Sequence, residues 1–89
     1  MKRATFFISG RVQGVGFRYR TNLIAQSFSV SGTVENLDDG RVKIVVEGEL
    51  EEIQRFVDEV QTSVSGNIKA IDRFDSEPSG DFDGFVVKI

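Results

Sequence analysis

Eighty-nine residues, 39% of them hydrophobic and eight of them phenylalanine, supply one compact core and leave no room for a second domain. Cysteine and histidine are both absent from the chain, which excludes disulfides, thiolate metal sites, cysteine nucleophiles, imidazole general bases and phosphohistidine intermediates. A net charge of −3 and a pI near 4.8 disfavour nucleic acid and anionic membranes as main partners, because both are bound through basic surface, yet they allow a small basic pocket.

Met1-Lys2-Arg3 opens like a signal peptide, but the apolar run behind it breaks at Ser9-Gly10. That is too short for an export segment or a membrane span, so a cytoplasmic location is expected. Arg3 to Ser9 reads as a strand with Phe6 and Ile8 on one face and Phe7 on the other. The stretch Gly10-Arg11-Val12-Gln13-Gly14-Val15-Gly16-Phe17-Arg18 follows and reads as a glycine-punctuated loop running into a helix. The helix is expected from Phe17 to about Ser27, with Phe17, Thr21, Ile24 and Phe28 on one face and Ala25 alongside. Tyr19 and Leu23 fall off that face. They are expected to be partly exposed, with lining of the site's mouth as the alternative.

Val30 to Leu37 and Arg41 to Glu47 read as strands joined through Asp38-Asp39-Gly40, a hairpin signal. In the second, Val42, Ile44 and Val46 point one way and Lys43, Val45 and Glu47 the other, which suits a sheet with one covered face. Gly48-Glu49 starts a second helix, with an apolar stripe of Leu50, Ile53, Val57, Val60 and Val64 flanked by Phe56. Glu49, Glu51 and Glu52 sit in its first turn, where they oppose the helix dipole; with no histidine or cysteine nearby they read as helix stabilisers and not as a metal site. Ser65-Gly66-Asn67 ends this helix. Ile68 to Asp75 reads as a strand whose pattern Asp72 and Arg73 interrupt, Ser76 to Asp81 as a loop, and Phe85 to Ile89 as a short terminal strand.

This order is α+β and ferredoxin-like: a split βαβ, βαββαβ plus a short C-terminal strand, giving an antiparallel sheet with two helices on one face. The first helix crosses from strand one to strand two, so these run parallel with another strand between them. Their C-terminal ends share one edge. The glycine loop and Arg18 follow the end of strand one, and Asn36 lies near the end of strand two, so topology gathers residues 18 apart in sequence.

The loop has the chemistry of an anion site. Gly10, Gly14 and Gly16 permit positive φ, so successive N–H groups can turn inward as a nest. The helix N-terminus adds unpaired N–H groups and a positive dipole end, and Arg18 adds a guanidinium that grips two phosphate oxygens. An anion nest, an arginine and an amide suffice for few hydrolyses. An acyl phosphate is one, because its carboxylate leaving group, with a conjugate-acid pKa of roughly 4 to 5, departs unprotonated. The protein then has only to bind the phosphoryl group, stabilise its charge and position water.

Val12-Gln13-Gly14-Val15-Gly16-Phe17-Arg18, with Gly10 before it, resembles the signature of the acylphosphatase family, and Gly32-Thr33-Val34-Glu35-Asn36 with Gly40, Val42 and Gly48 resembles that family's second block. The resemblance is strong from Phe6 to Gly48 and looser to Ile89. It implies hydrolysis of carboxyl-phosphate anhydrides by direct attack of water, with no metal or other cofactor, no protein general base and a small-molecule acyl phosphate as substrate. It also implies that Arg18 binds phosphate together with the backbone of Gln13, Gly14, Val15, Gly16 and Phe17, and that Asn36 orients the water. Gln13 is further expected to shape the loop. Thr33 and Glu35 depart from the family pattern. Glu35 points away from Asn36 by strand alternation, but its charge opposes an approaching anion, an effect that Arg11 and Arg20 are placed to offset. Arg20 also reads as a snorkelling side chain on the helix flank. A free-standing monomer is expected.

Two other classes share the topology. An RNA-recognition module needs its aromatics on a sheet strand, whereas Phe17 and Tyr19 open a helix. A non-catalytic anion- or metabolite-binding module is the alternative function, and Asn36 separates it from an enzyme, since binding alone needs no water-positioning amide.

Overall fold

The computed structural model describes residues 1–63 and 67–89. The elements are β1 (Lys2–Arg11), α1 (Phe17–Ala25), β2 (Val30–Asn36), β3 (Val42–Gly48), α2 (Leu50–Ser63), β4 (Asn67–Ser76) and β5 (Phe85–Lys88). The expected ends of the second helix at Val64, Ser65 and Gly66 lie outside the described residues.

The strands form one sheet in the order β4-β1-β3-β2-β5. β3 pairs antiparallel with both β1 and β2, for example Phe6 with Ile44 and Val34 with Ile44, so β1 and β2 run parallel and end at the same edge. The sheet is not wholly antiparallel. β5 pairs parallel with β2, from Gly32 with Phe85 to Glu35 with Lys88, because the chain between β4 and β5 returns across the sheet before the last strand is laid down.

Period-two alternation decides which face is covered. Ala4, Phe6 and Ile8 of β1, Val34 of β2 and Val42, Ile44 and Val46 of β3 are buried together with Phe17 and Ala25 of α1 and Ile53, Phe56, Val57 and Val60 of α2. α1 is shorter than its periodicity suggests, yet Phe28 beyond its end still packs edge-on against Phe56, with ring centroids 6.2 Å apart. Leu50 leaves the expected stripe. It is the first residue of α2 and is 52% exposed.

Glu47 also differs from expectation. It sits on the sheet face away from the helices, as alternation requires, but is only 2% exposed because the segment before β5 folds over it. Its carboxylate accepts hydrogen bonds from the Ser79 N–H at 2.7 Å, the Gly80 N–H at 3.0 Å, the Ser79 hydroxyl at 3.1 Å and Arg3 Nε at 2.8 Å. Burial alone would raise the pKa of this carboxyl. The Ser79 amide, the Arg3 guanidinium and the Gly80 amide outweigh that and lower it from 4.5 to about 2. A carboxyl depressed on folding stabilises the protein above its unfolded pKa and ceases to do so as pH falls through the folded one. Glu47→Gln should therefore cost roughly 3 kcal/mol at neutral pH. Urea denaturation of both proteins checks this: the gap between them should close as pH falls from about 5 towards 2, and a gap that ignores pH would refute the electrostatic account.

Candidate active site

The site begins with two backbone conformations. Gly14 and Gly16 have φ of 74° and 80°, in the left-handed region that side chains disfavour. A Cβ at either would meet nothing within 4 Å, so both glycines border open space and their requirement is conformational. Gly16 is the N-cap of α1. It provides no capping side chain, and the first turn of the helix holds no acid. The first helical hydrogen bond runs from the Arg20 N–H to the Gly16 carbonyl at 3.0 Å, which leaves the earlier N–H groups without intrahelical acceptors. Unpaired donors at a positive dipole end, with no carboxylate competing for them, suit an anion.

A hollow of about 170 Å³ lies in front of these groups, lined by Val12, Gly14, Gly16, Phe17, Arg18, Tyr19, Asn36 and Val87. Arg18 is half-buried, and its Nη1 donates to the Lys88 carbonyl at 3.0 Å. One nitrogen is thus tied to β5. The other donors of the fork remain for a ligand.

Asn36 is the last residue of β2, and its Oδ1 is buried with no hydrogen-bond partner among the described residues. A buried amide oxygen left unpaired costs about 1–3 kcal/mol. Such an atom on the wall of an open hollow marks where a polar guest completes the network.

Of the residues expected to form the site, Gly14, Gly16, Phe17, Arg18 and Asn36 all line this hollow. Gln13 and Val15 do not. The Gln13 side chain donates from Nε2 to the carbonyls of Leu37 at 2.8 Å and Arg41 at 2.9 Å, bracing the loop against the β2–β3 turn and leaving only its backbone N–H for an anion. Val15 packs against the core. Tyr19, 73% exposed, does line the mouth, whereas Leu23 does not.

Val12, Val87 and the Lys88 carbonyl are additions that sequence reasoning missed. Val12 is an apolar floor residue, and the other two depend on the parallel pairing of β5, which no local pattern announces.

The Glu35 carboxylate is held 3.8 Å from Lys88 Nζ, on the face of β2 opposite Asn36. Lys88 provides the offset expected of Arg11 and Arg20, both of which are exposed and outside the hollow.

An anion nest, one arginine and one unpaired amide form a site able to hold a phosphoryl group and a water. A family model described as acylphosphatase matches residues 4–87. An acylphosphatase of Roseiflexus sp. strain RS-1 is 43% identical over 88 residues, covering 98% of this chain and 95% of its own. The crystal structure of acylphosphatase from Bacillus subtilis aligns with TM-score 0.93 and 33% identity, covering 100% of both chains. An acylphosphatase structure from Coxiella burnetii aligns with TM-score 0.86 and 25% identity over 98% of this chain and 92% of that one. The matched span, residues 4–87, contains the glycine loop, Arg18 and Asn36, and the chain belongs to the acylphosphatase family.

Proposed function

We propose that the chain hydrolyses acyl phosphates to carboxylate and inorganic phosphate in this hollow, Arg18 and the N–H groups from Gln13 to Arg18 binding the phosphoryl oxygens and Asn36 orienting the attacking water. The water oxygen forms a bond to phosphorus as the bond from phosphorus to the acyl oxygen breaks. The carboxylate leaves with that electron pair. The water's proton passes to an oxygen of the phosphoryl group itself, so no protein general base is assigned. Charge on the equatorial oxygens is met by donors fixed before substrate arrives, which is where electrostatic catalysis gains most.

The single observation that supports this reading best is the unpaired Asn36 Oδ1, buried on the wall that Arg18 and the α1 N-terminus share. A binding module has no need of an acceptor beside its anion, whereas a hydrolase needs one to hold water. The working unit we propose is one domain, acting as a monomer in the cytoplasm without a cofactor.

Purified protein should hydrolyse benzoyl phosphate well above the uncatalysed rate, and a metal chelator should leave that rate unchanged, because the carboxylate leaves without Lewis-acid help. Release of phosphate measures it. Absence of turnover, or loss of turnover with the chelator, would overturn the mechanism.

A further inference from the structure

A second hollow opens beside the first, about 410 Å³ in volume and lined by Val15, Gly16, Tyr19, Arg20 and Leu23. Gly16 and Tyr19 line both, so the two spaces are neighbours at the helix start. Its walls combine two features. Tyr19 and Leu23 present apolar surface to solvent, at 73% and 57% exposure, and Val15 adds a partly buried apolar floor. Arg20 is exposed and forms no ion pair among the described residues, and no acidic side chain lines the space.

An acyl phosphate has two ends. With its phosphoryl group held in the small hollow, its acyl chain must leave by the mouth. There Gly16 offers no side chain to block it, and Tyr19 offers a flat apolar wall.

We infer that the second hollow is the acyl subsite, and that it favours acyl groups with an apolar stem ending in an anion, the stem lying on Val15, Tyr19 and Leu23 and the anion pairing with Arg20. This rests on the proposed catalytic role of the first hollow. The warrant for the stem is the removal of exposed apolar surface from water; the warrant for the anion is a guanidinium on the lining of the same space that forms no ion pair among the described residues, with Glu59 the acid that shares its neighbouring hollow.

The test compares acetyl, hexanoyl and monoadipoyl phosphate. The last two are both six-carbon acyl groups and differ only at the sixth carbon, a methyl in one and a carboxylate in the other, so their leaving groups have matched chemistry and any difference reports contacts with the protein. In the wild type, kcat/KM should rise from acetyl to hexanoyl and again to monoadipoyl phosphate. Arg20→Gln should remove the advantage of monoadipoyl phosphate, a loss of about five- to tenfold, and change the other two by less than about twofold. Leu23→Ala should lower both six-carbon substrates about threefold and spare acetyl phosphate. Both side chains are exposed, so both variants should keep the wild-type circular dichroism.

Equal kcat/KM for the three substrates, or variants that change all three alike, would overturn the subsite while leaving hydrolysis intact. Failure of the wild type to hydrolyse even acetyl phosphate would instead overturn the catalytic reading beneath it.

Discussion

Arg18→Ala is expected to lower kcat/KM for benzoyl phosphate by about a thousandfold, from the loss of a preorganised charged donor of the kind worth a factor of 10²–10³ and of a bidentate anchor with it. The magnitude follows from what remains. Backbone N–H groups at the loop and helix start still attract phosphate, but among the described residues that line the hollow only Arg18 carries a full positive charge, and Lys88 is paired with Glu35 on the other face of the sheet. Inorganic phosphate should also lose potency as a competitive inhibitor. The fold should survive, because Arg18 makes a single exposed hydrogen bond to the Lys88 carbonyl, and such a bond contributes about 1 kcal/mol or less. Arg18→Lys should recover little, since an ammonium cannot hold that carbonyl and two phosphoryl oxygens in one plane. Steady-state kinetics beside circular dichroism decide the matter. A folded Arg18→Ala protein with near-normal turnover would remove the arginine from the mechanism.

Asn36→Ala should separate binding from chemistry. In the proposed mechanism the amide acts on water and not on the phosphoryl group, so kcat is expected to fall by about 10²–10³, while the inhibition constant for phosphate shifts by less than about threefold. Stability should be equal or slightly raised, because the substitution deletes a buried oxygen that has no hydrogen-bond partner among the described residues. Loss of activity, retained phosphate affinity and undiminished melting temperature together distinguish a water-positioning amide from a structural one. Parallel loss of phosphate affinity and stability would mean that Asn36 only holds the hairpin in place.

Much of this site is written in local sequence. The strand before the loop, the glycines, the helix face of Phe17, Thr21 and Ala25, and the Asp38-Asp39-Gly40 turn are each fixed by neighbours a few residues away. Once their order is known, handedness and crossover rules bring Arg18 and Asn36 to one edge. What was not legible depends on distant backbone. Glu47 alternates onto the open face, and only the return path of the chain around Ser79 and Gly80 turns it into a buried anion. The same path lays β5 parallel to β2 and brings the Lys88 carbonyl to Arg18, a contact with no side-chain signature because the acceptor is a peptide group. Gln13 is a related case. A glutamine in a loop could face the anion or the protein, and the choice is made by two carbonyls more than twenty residues away in sequence.

The Gln13 brace has a kinetic meaning. The phosphate loop and the turn that follows Asn36 are cross-linked by one side chain before any substrate arrives. The brace restrains the loop relative to the turn by two hydrogen bonds. Ordering of the loop against the turn is in that measure completed when the chain folds, and a loop already ordered has less conformational entropy to lose when an anion binds.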